Sequence, residues 1–201
     1  MEHTYIKYYN LSMTTNIETI IDELKAAQYY KFTKEEYLPK ALEHSYNAIK
    51  KHMFARDFDL YDKENILASL DRRCYGADNE DLAESGVADL LDKLAYVFNV
   101  ENVLLGEVVQ DFTGEDYSVT INGQKYIIYT KEELKKEDSW YLSAKRTVGI
   151  INDLFKKSNS DERAYLRSGG NDGQIVLLNK RLVEIVKKYK LDTECRFEDI
   201  N

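Results

Sequence analysis

Asp57, Asp59 and Asp62, within Arg56-Asp-Phe-Asp-Leu-Tyr-Asp-Lys-Glu64, are the carboxylates whose spacing first suggests metal chemistry. An EF-hand loop needs oxygen ligands at alternate positions, Gly at the sixth and a bidentate Glu at the twelfth. Counted from Asp57, the fifth position is Tyr61, the sixth Asp62 and the twelfth Ala68, so the calcium template fails. Of the three histidines, His3, His44 and His52, the last two stand eight apart on one predicted helix. A zinc helix wants spacing four and a third ligand or a Glu base, which this chain does not offer. Nucleophilic chemistry fares no better. There is no Gly-x-Ser-x-Gly elbow, and Cys74, although preceded by Arg72 and Arg73, stands among acids that disfavour a thiolate. The Gly169–Gly173 loop lacks the Gly-Lys-Ser/Thr ending of a P-loop. It also joins two predicted strands, where a dinucleotide fingerprint joins a strand to a helix. Abundant carboxylates do not by themselves pick out an acid and a base. The expectation is a non-catalytic protein with no metal and no cofactor.

Charge carries more information. The net charge of −8 is unevenly spread: Asp57 to Asp116 holds sixteen acidic and four basic residues, a local balance of −12, and the rest of the chain carries twenty acidic and twenty-four basic, or +4. The balance argues against nucleic acid as a partner of the middle segment, because phosphates are bound by cations. A basic protein partner fits, since an acidic surface speeds its approach and rejects wrong partners. A plain solvated face explains the same run. The candidate contact residues are Asp78, Glu80, Asp81, Glu84, Glu107, Asp111, Glu115 and Asp116. Asn171 and Asp172, at the tip of a predicted hairpin, form a competing location.

The elements that position these residues are legible from periodicity. Thr15-Asn-Ile-Glu18 has capping-box form before the stripe Ile17, Ile20, Ile21, Leu24 and Ala27. A second helix over about Pro39 to Phe54 buries Leu42, Tyr46, Ile49 and Met53. Lys63 to Arg73 reads as a short helix. Cys74 to Ser85 reads as a polar surface loop, dividing a helical part (1–75) from an α+β part (76–201) of a single domain. A helix carrying Val87, Leu90, Leu91, Leu94 and Phe98 follows, ending near Asn99. From Val103 the period becomes extended. The spacing predicts a strand to Phe112 with Gly106 as a bulge or close approach, a turn at Thr113–Asp116, and a hairpin through Asn122-Gly123. Asp138 or Ser139 caps a helix burying Trp140, Ala144, Val148, Ile151, Leu154 and Phe155.

Arg163 to Tyr189 then compresses strand, turn, strand, cap and helix into fewer than thirty residues. Gly169, Gly170 and Gly173 are expected to supply positive φ, and Asn179 to cap a helix faced by Leu182, Ile185, Val186 and Tyr189. Thr193 to Glu198 adds a possible edge strand. The order is helices, then β-β-β-α-β-β-α, which makes the fold α+β with an antiparallel sheet. The first residues lack the basic-then-apolar profile of a signal peptide, no apolar run is long enough to span a membrane, and two distant cysteines suit a reducing compartment. A cytoplasmic protein without a membrane partner is expected.

The helix bearing Trp140 and Asn152, then Glu162-Arg163-Ala-Tyr165, the Gly-Gly-Asn-Asp-Gly turn, an apolar strand ending at Leu178 and a capped helix resemble the immunity proteins encoded beside polymorphic bacterial toxins. The resemblance covers about Leu91 to Tyr189, half of the chain. It implies no catalytic residues and a protein that binds and occludes a cognate toxin domain. A small-ligand or enzymatic domain with its site between sheet and helices is the alternative, and would show a deep pocket lined by convergent polar groups.

Overall fold

The computed structural model describes residues 16–51, 53–54, 60–61, 67–167 and 172–191. The chain runs α1 (Ile17–Ala26), α2 (Leu38–Lys50), β1 (Leu60–Tyr61), β2 (Leu67–Ala68), β3 (Cys74–Asp78), α3 (Asn79–Ala83), α4 (Val87–Lys93) and α5 (Ala95–Val100). It continues with β4 (Val108–Thr113), β5 (Asp116–Ile121), β6 (Gln124–Tyr129), α6 (Ser139–Lys157), β7 (Glu162–Arg167), β8 (Asp172–Asn179) and α7 (Lys180–Tyr189). Among the described residues every strand pairing is antiparallel. The fold is α+β, and its strands divide into two sheets, one ordered β1-β2-β3-β8-β7 and the other β4-β5-β6.

Ile175, Val176, Leu177 and Leu178 are fully buried, and alternation along β8 sends them to opposite faces of the five-stranded sheet. Ile175 and Leu177 join a cluster with Tyr75, Ala164, α4, α5, α6 and the inner face of the three-stranded sheet. Val176 and Leu178 join Cys74, Tyr165, α1 and α7 on the other side. A strand covered on both faces needs a continuous apolar run, which is what this segment has. Helix α6 packs against both β6 and β7, so it couples the two sheets.

Caps and turns follow their chemistry. Asn16 caps α1 by accepting from the Glu18 N–H, Asp138 caps α6 at the Trp140 and Tyr141 N–H groups, and Asn179 caps α7 at the Leu182 N–H. Asn122 and Gly123 both take positive φ, at 53° and 78°, as a two-residue hairpin turn of this type demands. Gly106 leaves room for a close approach of the Asn122 side chain: a Cβ there would lie 2.3 Å from its Oδ1, so that side chain would have to move.

Several expectations give way. Cys74 to Asp78 is a strand, not a loop, and Cys74, Tyr75 and Ala77 are buried in it. Its short run of five carries one large aromatic, too little pattern to read against the acidic residues that follow. The stretch expected as a helix from Lys63 to Arg73 contains β2 and a turn in which Arg72 takes φ 53°. On α2, Ala41 and Ile49 are buried while Tyr46 is exposed. Gly173 does not supply positive φ; it is glycine because a Cβ would meet the Ala77 carbonyl oxygen of β3 at 2.6 Å. Asp57, Asp59, Asp62, His52, Gly169, Gly170, Asn171 and Thr193 to Glu198 lie outside the described residues.

Candidate binding surface

Strand β3 ends in Asp78, whose side chain accepts from the N–H groups of Glu80 (2.8 Å) and Asp81 (3.3 Å) and so starts α3. Glu80 and Asp81 then occupy the first turn, where the helix dipole favours anions. The next turn is set by backbone. The Asp81 carbonyl accepts from the N–H groups of Glu84 (3.1 Å) and Gly86 (2.6 Å). Position 86 must be glycine, because a Cβ would come within 2.7 Å of that carbonyl oxygen. From Gly86 the chain enters α4, which carries Asp89 and Lys93.

These elements enclose a concavity of about 230 Å³ lined by Asp78, Asp81, Glu84 and Asp89 together with Gly76, Ala77, Leu82 and Leu90, and Lys93 is the single basic residue among the described residues of its lining. Asp81, Glu84 and Asp89 are exposed. Three of the candidate acids therefore converge on one hollow. Glu80 is exposed on the same helix but does not line it. The Asp172 backbone pairs with Asp78 at the end of the β3–β8 ladder, which brings residue 172 beside the start of the acidic loop. Asp89 escaped notice in the sequence, although a charged residue outside the apolar stripe of a predicted helix is a signal that could have found it.

The second group of candidates sits on the smaller sheet. Glu107 and Asp111 are exposed at and before β4, and Asp111 accepts from the Thr113 hydroxyl at 3.0 Å. Glu115 and Asp116 are already engaged: Lys131 pairs with Glu115 at 2.8 Å, and its backbone N–H donates to Asp116 at 2.7 Å. The two acidic groups are joined through α4. The Gln110 side chain of β4 accepts from the Ala88 N–H and from the Tyr117 hydroxyl, tying the first turn of α4 to the sheet. The Tyr129 hydroxyl donates to the Ala83 carbonyl at 2.9 Å. Burial, and then the negative field of Glu84, raise the pKa of Tyr129 above the ordinary phenol value. The small sheet thus backs the acidic hollow with neutral phenols.

A different charged cluster was not foreseen at all. Arg73 and Glu162 are fully buried and paired at 2.5 Å, although 89 positions apart in the chain. Lys31 bridges Glu162 and Glu101 at 2.8 Å each. Arg73 also donates to the carbonyls of Tyr29, Gln28 and Leu177 and lies over the Phe32 ring at 4.4 Å. Asp71 accepts from the Tyr29 and Ser69 hydroxyls, and burial, reinforced by the Asp71 charge, pushes the Tyr29 phenol well above its usual range. Cys74 is buried, with the Arg167 guanidinium 3.8 Å from its sulfur, so its surroundings are the reverse of the acidic ones expected. Arg73 and Glu162 are thus fully buried and held by groups of the fold itself, while Lys31 and Glu101 at its margin keep a small exposure.

No family model matches the chain, and no solved structure matches it. Over 136 residues it is 26% identical to the phosphoglycerate transport system sensor protein of Salmonella typhimurium strain LT2, a match that covers 64% of this chain and 19% of that protein. The chain thus spans about a fifth of that protein's length. No described helix is long and apolar enough to cross a membrane.

Proposed function

We propose that this chain is a non-catalytic binding protein that neutralises a cognate, basic toxin domain by occluding it, as an immunity protein acting in the cytoplasm. The observation that supports this reading is the convergence of Asp78, Asp81, Glu84 and Asp89 on one open hollow where Lys93 is the single cation among the described lining residues. A negatively lined concavity attracts a basic partner and raises its rate of encounter. The walls are held by caps and a backbone turn, so the carboxylates are placed before a partner arrives and binding costs little ordering. The hollow is half open and rimmed by carboxylates, unlike an apolar pocket with a few convergent polar groups.

The test is co-expression with toxin-like domains encoded next to this gene, scoring growth rescue and co-purification. A stable one-to-one complex and rescue are expected. The variant Asp81→Lys/Glu84→Lys/Asp89→Lys leaves the Asp78 cap intact and should slow association by about tenfold and flatten its salt dependence. Rescue with unchanged association in that variant removes the acidic hollow from the interface. No rescue and no complex with any such neighbour removes the immunity reading.

A further inference from the structure

Each sheet has edges, and the molecule treats them differently. At β7, the Asn152 side chain of α6 accepts from the Ala164 N–H (2.7 Å) and donates to the Ala164 carbonyl (3.0 Å), standing in for a neighbouring strand. At β6, Arg146 donates to the Ile127 carbonyl at 3.1 Å. Just before β4, Asn122 repeats the device: its amide donates to the Leu104 carbonyl (2.7 Å) and its oxygen accepts from the Gly106 N–H (2.9 Å). Beyond that clamp the device stops. The pair Thr113–Asp116 closes a two-residue turn, so alternation along the ladder directs the backbone groups of Val108, Gln110 and Phe112 away from β5. Among the described residues no hydrogen bond reaches them. An uncovered edge of this kind is a template for another strand.

The flank of this edge has a defined chemistry. Beside Val108 runs a groove of about 400 Å³ walled by Ala88, Ala95, Val103 and Leu105, with Asp92 at its rim. Leu104 is 86% exposed next to it, and Val109 and Phe112 are each nearly half exposed on β4. Glu107 and Asp111 stand along the strand, and β4 contains no basic residue. Two copies pairing through β4 would set these carboxylates against their own kind, which is unfavourable directly across a ladder. An extended basic segment meets no such penalty.

We infer that β4 receives an extended segment of the partner, alternating basic and apolar residues, as a fourth strand of the small sheet. This rests on the binding role proposed above and names how the partner engages. Backbone bonds to Val108, Gln110 and Phe112 supply affinity, an apolar side chain fills the groove, and lysine or arginine reaches Glu107, Asp111 and Asp92. The Asn122 clamp holds the approach to the edge rigid, so the template is formed before binding.

The probe is a blocked ten-residue peptide alternating lysine with valine, titrated into the intact protein by fluorescence anisotropy, with amide exchange read residue by residue. Saturable binding with slowed exchange at Val108, Gln110 and Phe112 is expected. A peptide N-methylated at every second residue, which cannot pair on one edge, should bind at least about tenfold more weakly, as should one with glutamate in place of lysine. Val108→Pro removes an outward N–H without touching the β4–β5 ladder and should have a similar effect; the N-methylated peptide makes the same point on the unaltered protein. No binding, equal binding of the N-methylated or acidic peptide, unchanged exchange along β4, or a dimer broken by Val108→Pro would each overturn the proposal. A toxin complex that survives Val108→Pro at full affinity would overturn it too, while leaving the binding role standing.

Discussion

The molecule keeps two populations of carboxylates, and they differ in environment more than in chemistry. Glu162 is fully buried between Arg73 and Lys31, and the Leu177 carbonyl accepts from the same guanidinium nitrogen that pairs with it. Asp81, Glu84 and Asp89 line an open hollow, and the charged side chain closest to answering them is Lys93. A buried ion is tolerable only when its partners replace water, and Arg73 and Glu162 draw theirs from distant parts of the chain: Lys31 for the carboxylate, and the carbonyls of Gln28, Tyr29 and Leu177 for the guanidinium. An exposed carboxylate needs no such replacement and is free to exchange water for a partner's cation. Charge that is saturated maintains the fold, whereas charge that is merely positioned is available for binding.

The contrast is broken most directly at Glu162. Glu162→Gln leaves the Arg73 guanidinium buried with carbonyl partners but without the carboxylate paired to it, and should cost about 3–5 kcal/mol in urea unfolding, as loss of one member of a buried pair does. The triple reversal Asp81→Lys/Glu84→Lys/Asp89→Lys should change stability by no more than about 0.5 kcal/mol per site. If Glu162→Gln cost as little as a surface site, burial would not be what separates the two populations.

A smaller loss is expected where the acidic surface meets its backbone support. Gly86→Ala drives a Cβ against the Asp81 carbonyl oxygen, which is backbone and cannot swing aside. The turn must shift, at about 1–3 kcal/mol by the usual cost of overpacking. Because Asp81 and Glu84 ride on that turn, partner affinity should fall with stability, which the charge reversals should not show. Thermal unfolding and binding measured on the same sample would separate the two patterns.

The ease with which each region was read follows from how far apart its parts lie. Helices α1, α6 and α7, the hairpin at Asn122-Gly123 and the Asn179 cap were legible because cap, stripe and turn sit within one short window. The acids of the hollow were visible as a charge imbalance, and three of them do meet. The Arg73–Glu162 pair was invisible, since nothing local tells a buried arginine from a surface one and its partner lies 89 residues away. Strand β3 was missed for a related reason. Its burial comes from β8 on one side and from clusters on both faces, none of which its five residues announce. Asn152 could be named from sequence as part of a resemblance, but its work as a surrogate strand for Ala164 needed coordinates.

The finest test compares like with like. Glu23 of α1 takes Lys188 at 2.8 Å and the Tyr189 hydroxyl at 2.8 Å, close to the distance at which buried Glu162 takes Lys31. The hydrogen bond from Lys188, then that from Tyr189, lowers the Glu23 pKa below its ordinary 4.5. A depressed carboxylate contributes stability above its unfolded pKa and loses it as pH falls through the folded one. The difference in stability between the native chain and Glu23→Gln should therefore be full at neutral pH and close only in acid below that ordinary value. It should be far smaller than the Glu162→Gln loss, and it should shrink in 1 M salt, because exposed pairs are screened and buried ones are not. Equal distances with unequal consequences would place the distinction in solvation. A salt-insensitive Glu23 effect as large as that of Glu162 would show instead that geometry alone sets the worth of these pairs.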